Sequence, residues 1–178
     1  YPKIPILALT ATATPRVRQD IIQNLRMKRP HLTKLSFNRP NLRYEVRQKT
    51  SHKKVLEQMA QLIRTKYKKK CGIIYCLSRK NCEEVAEGLN RLLYTNEVSF
   101  YHANLEQEER QQRHEDWSND NGIRIMCATV AFGMGINKPD VRFVMHYSLP
   151  KSATHYYQES GRAGRDGDPA DCIVFYSF

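Results

Sequence analysis

The sequence predicts an α/β fold in which helices flank both faces of a doubly wound parallel sheet. Short apolar runs typical of buried strands alternate with segments of roughly 10–17 residues whose apolar positions recur at helical spacing. The chain has 178 residues, 40% hydrophobic and 26% charged, so it can bury a core without disulfide bonds. In such sheets ligands bind beyond the carboxyl ends of the strands, so the loops after the strands form the candidate site.

The first forty residues are less regular than the rest of the chain. Residues 5–9 predict a short buried strand, the Thr14-Pro15 pair predicts a helix start, and residues 32–37 have weak strand character. The breaker at 38–41 (Asn-Arg-Pro-Asn) is the candidate linker. Beyond it, the predicted strands are 42–47, 72–76, 98–101, 123–127, 141–146 and 172–176, and the predicted helices cover 51–67, 85–93, 106–117 and 152–161.

The charge balance favours a polyanionic partner, of which nucleic acid is the usual one. Lys and Arg number 29 against 18 Asp and Glu, which gives a net charge of +11. A basic surface without a partner is the alternative, and an acidic membrane surface fits less well because the basic residues are spread along the chain. The composition excludes collagen-like and disordered chains, and no apolar run approaches the ~20 residues of a membrane-spanning helix.

The five cysteines predict neither a disulfide framework nor a zinc site, because their number is odd and no Cys-x-x-Cys pair occurs. Cys76, Cys127 and Cys172 lie inside apolar runs, which is typical of small buried side chains in a reducing compartment. The chain opens without an initiator Met or a signal peptide, and we interpret it as part of a longer protein.

The strongest chemical signal lies in residues 156–167, where Arg162 and Arg165 are separated only by small residues. Gly161 and Gly164 have no side chains that would block a close approach to a ligand. Guanidinium groups suit phosphate oxygens and the charge that develops during phosphoryl transfer. The alternative is a glycine-rich surface loop whose arginines are incidental.

Four segments resemble, in order, the motifs of superfamily 2 helicases, and of the RecQ family in particular. The resemblance extends over essentially the whole chain, and four motifs in order are far more specific than any one of them. Residues 9–13 (Leu-Thr-Ala-Thr-Ala) resemble motif III, 72–79 the RecQ form of motif IV, 127–142 RecQ motif V, and 158–165 motif VI, while the runs 36–39 and 147–152 are most similar to Bloom-syndrome-type members.

The resemblance implies a RecA-like fold with two lobes that close on ATP and Mg²⁺. Residues 1–40 would be the tail of lobe 1, and residues 41–178 would be lobe 2. The sequence contains no Gly-x-x-x-x-Gly-Lys-Ser/Thr loop and no Asp-Glu-x-His box, so lobe 1 would bind most of the ATP and Mg²⁺. This chain alone is therefore expected to be inactive and to hold no metal.

By the same resemblance, the parent would be an ATP-dependent 3′–5′ helicase that acts on single-stranded and duplex DNA in repair and recombination. Its nearest partner would be lobe 1 of the same chain, its location the nucleus, and it would not bind membranes. A superfamily 2 motor that acts on RNA is one alternative. A catalytically inactive module that binds nucleic acid is another.

The resemblance also assigns roles to residues near the nucleotide. Arg165 would be the arginine finger that reaches the γ-phosphate and Arg162 its partner, or the reverse. Gln158 would lie beside them and link the nucleotide state to the rest of the lobe. Asp140, on the nucleotide side, would help to couple the ATP and DNA sites.

Further residues are assigned to DNA or to coupling. The alternative for Ser78 and Ser152 is that they only cap helices, and core packing is the preferred interpretation of Trp117. Asn137 and Asn104 depart from the family pattern, which usually has Asp and Gly at these positions. The predicted DNA contacts are Ser78, Arg79, His102, Thr129, Lys151 and Ser152, and the predicted coupling residues are Thr10, Thr12, Gly133 and Gly135.

Overall fold

In a computed structural model of the chain, the described residues are 4–10, 12–34, 36–133 and 136–177. They belong to two compact units, Tyr1–Arg39 and Pro40–Phe178, which we call the first and second units. No helix among these described residues is long and apolar enough to cross a membrane.

Among its described residues, the first unit contains one helix, α1 (Pro15–Asn24). Thr14 caps it as predicted, because its hydroxyl accepts a hydrogen bond from the Val17 amide at 3.3 Å and Pro15 opens the first turn. The strands predicted at 5–9 and 32–37 are absent from the described residues, so these two predictions are wrong for this structure. A strand needs a partner for its backbone groups, and the described part of this unit offers none.

The second unit is built on a sheet of six parallel strands in the described part of the chain. This confirms the predicted doubly wound α/β fold. The strands are β1 (Leu42–Gln48), β2 (Cys71–Tyr75), β3 (Val98–Tyr101), β4 (Ile125–Ala128), β5 (Val141–His146) and β6 (Ala170–Tyr176), in the order β1-β6-β5-β2-β4-β3.

Four helices follow strands of this sheet: α2 (His52–Thr65), α3 (Arg79–Leu93), α4 (Gln107–Ser118) and α5 (Ala153–Ser160). A serine caps three of them, since Ser51, Ser78 and Ser152 each accept a hydrogen bond from a first-turn amide. Because the strands are parallel, the segments after them start at one edge of the sheet, which we call the carboxyl edge.

The core explains why the central strand is apolar throughout. All five residues of β2 are buried. A Cβ on Gly72 would lie 2.1 Å from the ring of Phe143 on β5, so only glycine admits that ring. Trp117 is fully buried and packs edge-on against Phe132, with ring centroids 5.2 Å apart, as predicted. All five cysteines are buried, and none of them forms a disulfide bond.

Candidate functional site

The two arginines of the strongest sequence signal lie in the segment after α5, residues 161–169, which we call the arginine loop. Nη1 of Arg162 donates to the carbonyl oxygen of Gly133, and Nη1 of Arg165 donates to the carbonyl oxygen of Ile136 at 2.6 Å. Both carbonyls belong to the segment between β4 and β5. The structure therefore brings the two predicted arginines together against one stretch of backbone.

That stretch, residues 129–140, is here called the connecting loop because it joins the carboxyl end of one strand to the amino end of another. It begins at Thr129, just after the carboxyl end of β4, and ends at Asp140, just before the amino end of β5. Arg162 and Arg165 are held between these two ends. A cleft of about 470 Å³ separates part of the loop from α4.

Gly133 leaves the space that the Arg162 side chain occupies. A Cβ on Gly133 would lie 2.8 Å from Nη2 of Arg162 and 3.2 Å from the carbonyl oxygen of Val130. The family resemblance predicts that Gly133 helps to couple the ATP and DNA sites. In the structure, Gly133 directly contacts Arg162. Gly135, the other glycine assigned to coupling in this motif, lies outside the described residues.

Tyr75, at the carboxyl end of β2, supports the connecting loop. Its hydroxyl donates to the carbonyl oxygen of Phe132 at 2.9 Å, and its ring stacks on His146 with centroids 5.4 Å apart. Burial raises the pKa of Tyr75 well above its ordinary value, although nearby Arg162 acts in the opposite direction. The hydroxyl therefore remains a donor at neutral pH. Sequence reasoning missed this residue because its strand reads simply as apolar.

A buried polar pair joins β5 to α5, the helix that leads into the arginine loop. Nε2 of His146 lies 2.8 Å from a carboxylate oxygen of Glu159, and both side chains are almost fully buried. Tyr156 packs edge-on against the His146 ring at a centroid distance of 5.0 Å. Sequence reasoning missed this pair too. The available signal was a histidine at the end of an apolar strand and a glutamate three positions before Arg162.

Gln158 and Asp140, both predicted to act on the nucleotide side, lie in different surroundings. Gln158 is exposed on α5. Asp140 is paired with Lys138 at 3.4 Å, and the arginine loop passes beside it, because the Asp166 amide donates to the Pro139 carbonyl at 3.2 Å. The described residues contain no group of three His, Cys, Asp or Glu side chains that could hold a metal ion.

The serines predicted to contact DNA both act as helix caps in the structure. The Ser78 hydroxyl accepts a hydrogen bond from the Asn81 amide at 3.2 Å and donates one to the side-chain oxygen of Asn81 at 2.9 Å. Ser152 accepts from the His155 amide at 3.2 Å. Capping does not exclude a phosphate contact, because the other amides of the first turn still lack partners within the helix.

Three further predicted DNA contacts lie along the same carboxyl edge. Arg79 and Lys151 are exposed, next to the two capping serines. Thr129 is half-buried where the connecting loop begins, and its hydroxyl accepts from the Ala131 amide at 3.4 Å. These residues follow β2, β5 and β4, which are adjacent strands of the sheet.

His102 differs from the other predicted DNA contacts because its side chain is buried. Only 4% of the residue is exposed, its ring stacks on Phe100, and Nε2 lies 2.9 Å from a Glu83 carboxylate oxygen. The ring is therefore buried and is not exposed on the surface of the carboxyl edge. We leave His102 out of the DNA surface proposed below.

The remaining predicted residues lie in loops. Thr10 and Thr12 precede α1, and the Thr10 hydroxyl donates to the Thr12 carbonyl at 3.1 Å. Asn104 is exposed and does not adopt the positive φ for which its asparagine would be suited. Asn137 is exposed on the connecting loop.

The far side of the arginine loop is fixed by an ion pair. Nη2 of Arg142 donates to the two carboxylate oxygens of Asp166 at 2.6 and 2.5 Å. The hydrogen bond from Arg142 holds the pKa of Asp166 below its ordinary value. A lowered pKa in the folded state means that the pair stabilises the fold above the unfolded pKa, about 3.9. That stabilisation is lost as the pH falls through the lowered value.

We therefore expect Asp166→Asn to be less stable than the unsubstituted chain at pH 7. The difference in unfolding free energy between the two chains should shrink only below about pH 4, where the unfolded carboxylate takes up a proton before the folded one does. Urea unfolding at a series of pH values measures it. Glu87→Gln, at an exposed position on α3, is the control and should show no such dependence. A stability difference that stays constant down to pH 2 would contradict the assignment.

Comparison with known proteins places this geometry in a family. The model of the "Helicase conserved C-terminal domain" matches residues 54–167. Over its full length the chain is 51% identical to ATP-dependent DNA helicase Q-like 4B of Arabidopsis thaliana, 48% to ATP-dependent helicase SGS1 of Saccharomyces cerevisiae and 47% to RecQ-like DNA helicase BLM of Xenopus laevis. It spans 15%, 12% and 13% of these proteins. The predicted RecQ resemblance is confirmed.

Solved structures confirm the fold. S. cerevisiae Dbp5 bound to RNA and ADP BeF3 matches 95% of this chain and 44% of its own, with a TM-score of 0.76 at 23% identity. The Mycobacterium smegmatis helicase Lhr bound to ssDNA and AMP-PNP matches 74% of this chain and 19% of its own, with a TM-score of 0.64 at 21% identity. At these identities the matches establish a RecA-like helicase lobe and nothing finer.

Proposed function

The chain belongs to the helicase conserved C-terminal domain family, and we propose that it is the second motor lobe of a RecQ-type, ATP-dependent DNA helicase. One observation carries this proposal. The connecting loop begins at the carboxyl edge, where the predicted DNA contacts lie, and its middle holds both arginines predicted to face ATP.

The arginine pair suits a phosphate. The backbone carbonyls fix both guanidinium groups, and Gly133 leaves room for one of them. Fixed positive charge stabilises the negative charge that develops on a phosphoryl group in transfer, without reorganisation at the moment of reaction. In this role Arg162 and Arg165 would contact the γ-phosphate, while the other lobe would hold Mg²⁺ and the remaining phosphates.

The carboxyl edge suits a nucleic-acid backbone. Exposed Arg79 and Lys151 would neutralise phosphates, and the first-turn amides behind Ser78 and Ser152 would donate to phosphate oxygens. The net charge of +11 supports the same use, and it implies binding that weakens steeply with salt. DNA rather than RNA is favoured by the names of the relatives.

Coupling would follow from the shared loop. A change at Thr129 on DNA binding would move the carbonyls that position Arg162 and Arg165, and Thr10 and Thr12 would relay the nucleotide state in the first unit. We further propose that the parent protein moves 3′ to 5′ on single-stranded DNA, separates duplexes in repair and recombination, and acts in the nucleus. The 178-residue chain alone would hydrolyse no ATP.

The test is steady-state ATP hydrolysis by the longer protein with single-stranded DNA, with single-stranded RNA and with neither. Stimulation by DNA is expected. Stimulation by RNA alone would favour an RNA motor, and no hydrolysis in any arm would favour an inactive binding module. The 178-residue chain is assayed in parallel, and DNA-stimulated hydrolysis by it would refute its proposed inactivity.

A further inference from the structure

The first loop of the second unit holds the arginine loop through one side chain, that of Asn41. Its Nδ2 donates to the carbonyl oxygens of Gly164 at 2.8 Å and of Asp168 at 2.9 Å. The main-chain carbonyl oxygen of Asn41 accepts a hydrogen bond from the Ala170 amide at 3.0 Å. The carboxamide thus contacts backbone positions 123 and 127 residues away in the sequence. Below, this arrangement is called the Asn41 clamp.

The clamp fixes the midpoint between the two arginines. Gly164 lies between Arg162 and Arg165. Its backbone adopts φ +54, a conformation that residues other than glycine rarely adopt. A Cβ at this position would lie 2.6 Å from Nδ2 of Asn41 and 2.7 Å from the Asp168 carbonyl. Glycine is therefore required both by the turn of the backbone and by the close approach of the carboxamide.

The surrounding contacts make the clamp decisive for the arginine positions. The Gly164 amide donates to the Val141 carbonyl at 2.9 Å, which fixes the loop against the start of β5. The Asn41 clamp holds the carbonyl group of the same residue, Gly164, next to the start of β1. With both in place, the backbone that carries Arg162 and Arg165 has one position relative to the sheet.

We propose that Asn41 is a positioning residue for the arginine pair in ATP hydrolysis. The inference rests on the proposed function. Asn41 acts through the Gly164 backbone and does not touch ATP. Loss of its two hydrogen bonds would let the loop shift, and a displacement of about 1 Å in a catalytic group can cost roughly 100-fold in rate.

The position of Asn41 gives the clamp a second consequence. The first unit ends at Arg39, so Asn41 is the second residue after the boundary between the two units. In this proposal, a rearrangement of the segment that joins the units reaches the arginine loop directly. The segment between the lobes would then help to set the arginine positions, in addition to tethering the lobes.

The experiment compares Asn41→Ala with Asn90→Ala in the longer protein. Asn90 makes a similar clamp elsewhere, because its side chain donates to the Val98 carbonyl at 2.8 Å and accepts from the Val98 amide at 3.1 Å. Both variants therefore lose side-chain-to-backbone hydrogen bonds, but only the first touches the arginine loop. The readouts are kcat and KM for ATP, affinity for single-stranded DNA, and melting temperature.

We expect Asn41→Ala to lower kcat roughly 10- to 100-fold, with KM for ATP and DNA affinity within about threefold of the unsubstituted protein. Asn90→Ala should keep kcat within about threefold despite a similar fall in melting temperature. Equal kcat values for the two variants would overturn the proposal. If the unsubstituted protein hydrolyses no ATP, the proposed function itself fails.

Hydrogen exchange gives an answer that does not depend on activity. Amides in residues 161–168 of the arginine loop should exchange faster in Asn41→Ala than in Asn90→Ala, because only the first variant releases that loop. Unchanged exchange there would overturn the proposal. If Asn41→Ala does not fold, Asn41→Ser, which retains a shorter hydrogen-bond donor, replaces it in both measurements, with the same expected direction and the same overturning result.

Discussion

Replacement of Arg165 by alanine in the longer protein should lower DNA-stimulated ATP turnover by roughly 10³- to 10⁵-fold, the range found for arginine fingers in other nucleotide hydrolases. Affinity for single-stranded DNA should stay within about threefold, because Arg165 is held at Ile136, beyond the start of the connecting loop. Steady-state hydrolysis and fluorescence anisotropy at one fixed salt concentration measure the two effects.

The control for this prediction is Arg91→Ala. Arg91 lies exposed in the last turn of α3, so its loss removes the same charge away from the arginine loop and should leave turnover unchanged. Arg162→Ala, measured alongside, decides which arginine contributes more to turnover. If Arg165→Ala weakened DNA binding by as large a factor as it lowered turnover, Arg165 would belong to the nucleic-acid surface instead.

Removal of the His146 side chain should destabilise the second unit by about 2–5 kcal/mol, because it leaves a cavity and a buried polar partner without its hydrogen bond. Glu159 is only 6% exposed, and His146→Ala leaves its carboxylate without the imidazole partner. It also removes the ring that packs between Tyr75 and Tyr156. Urea unfolding of the 178-residue chain provides the measurement.

The matched variants separate the pair from the packing. Glu159→Gln keeps the shape and a hydrogen-bonding group at the same place, so its cost should be clearly smaller than that of His146→Ala. In the double variant, the two losses should not add, because the second change removes the carboxylate that the first left unpaired. Additive losses would mean that His146 stabilises the unit by packing alone.

The strands and helices of the second unit could be predicted from the sequence because each carries a local signal. β2 and the part of β6 from Cys172 to Phe175 are buried on both faces, so they read as apolar runs, while Asp171 interrupts the start of β6. Ser51, Ser78 and Ser152 directly precede the helices that they cap. Apolar spacing alone predicts the start of α3 at residue 85, whereas the helix begins at Arg79. The strand predicted at 5–9 carries an equally apolar signal, yet Leu9 is 84% exposed here, because pairing is not a local property.

Within the site, residue identity was predictable and residue contacts were not. The glycine spacing singles out Arg162 and Arg165, but nothing local shows that Gly133 and Ile136 receive them. The same limit applies to His102, whose burial depends on a glutamate on another element. Asn41 reads simply as part of a breaker, because its function depends on backbone far along the chain.

The sheet order also has a consequence for how the protein is made. The first strand of the second unit, β1, pairs only with the last, β6, and lies at the edge of the sheet. A ribosome releases β1 and Asn41 long before β6, so β1 can pair with β6 only after nearly the whole chain has been made. The Asn41 clamp, which lies next to β1, therefore takes its final form late in synthesis. In a nascent chain stalled before residue 170, Asn41 would lack the β1–β6 pairing that holds it beside the arginine loop.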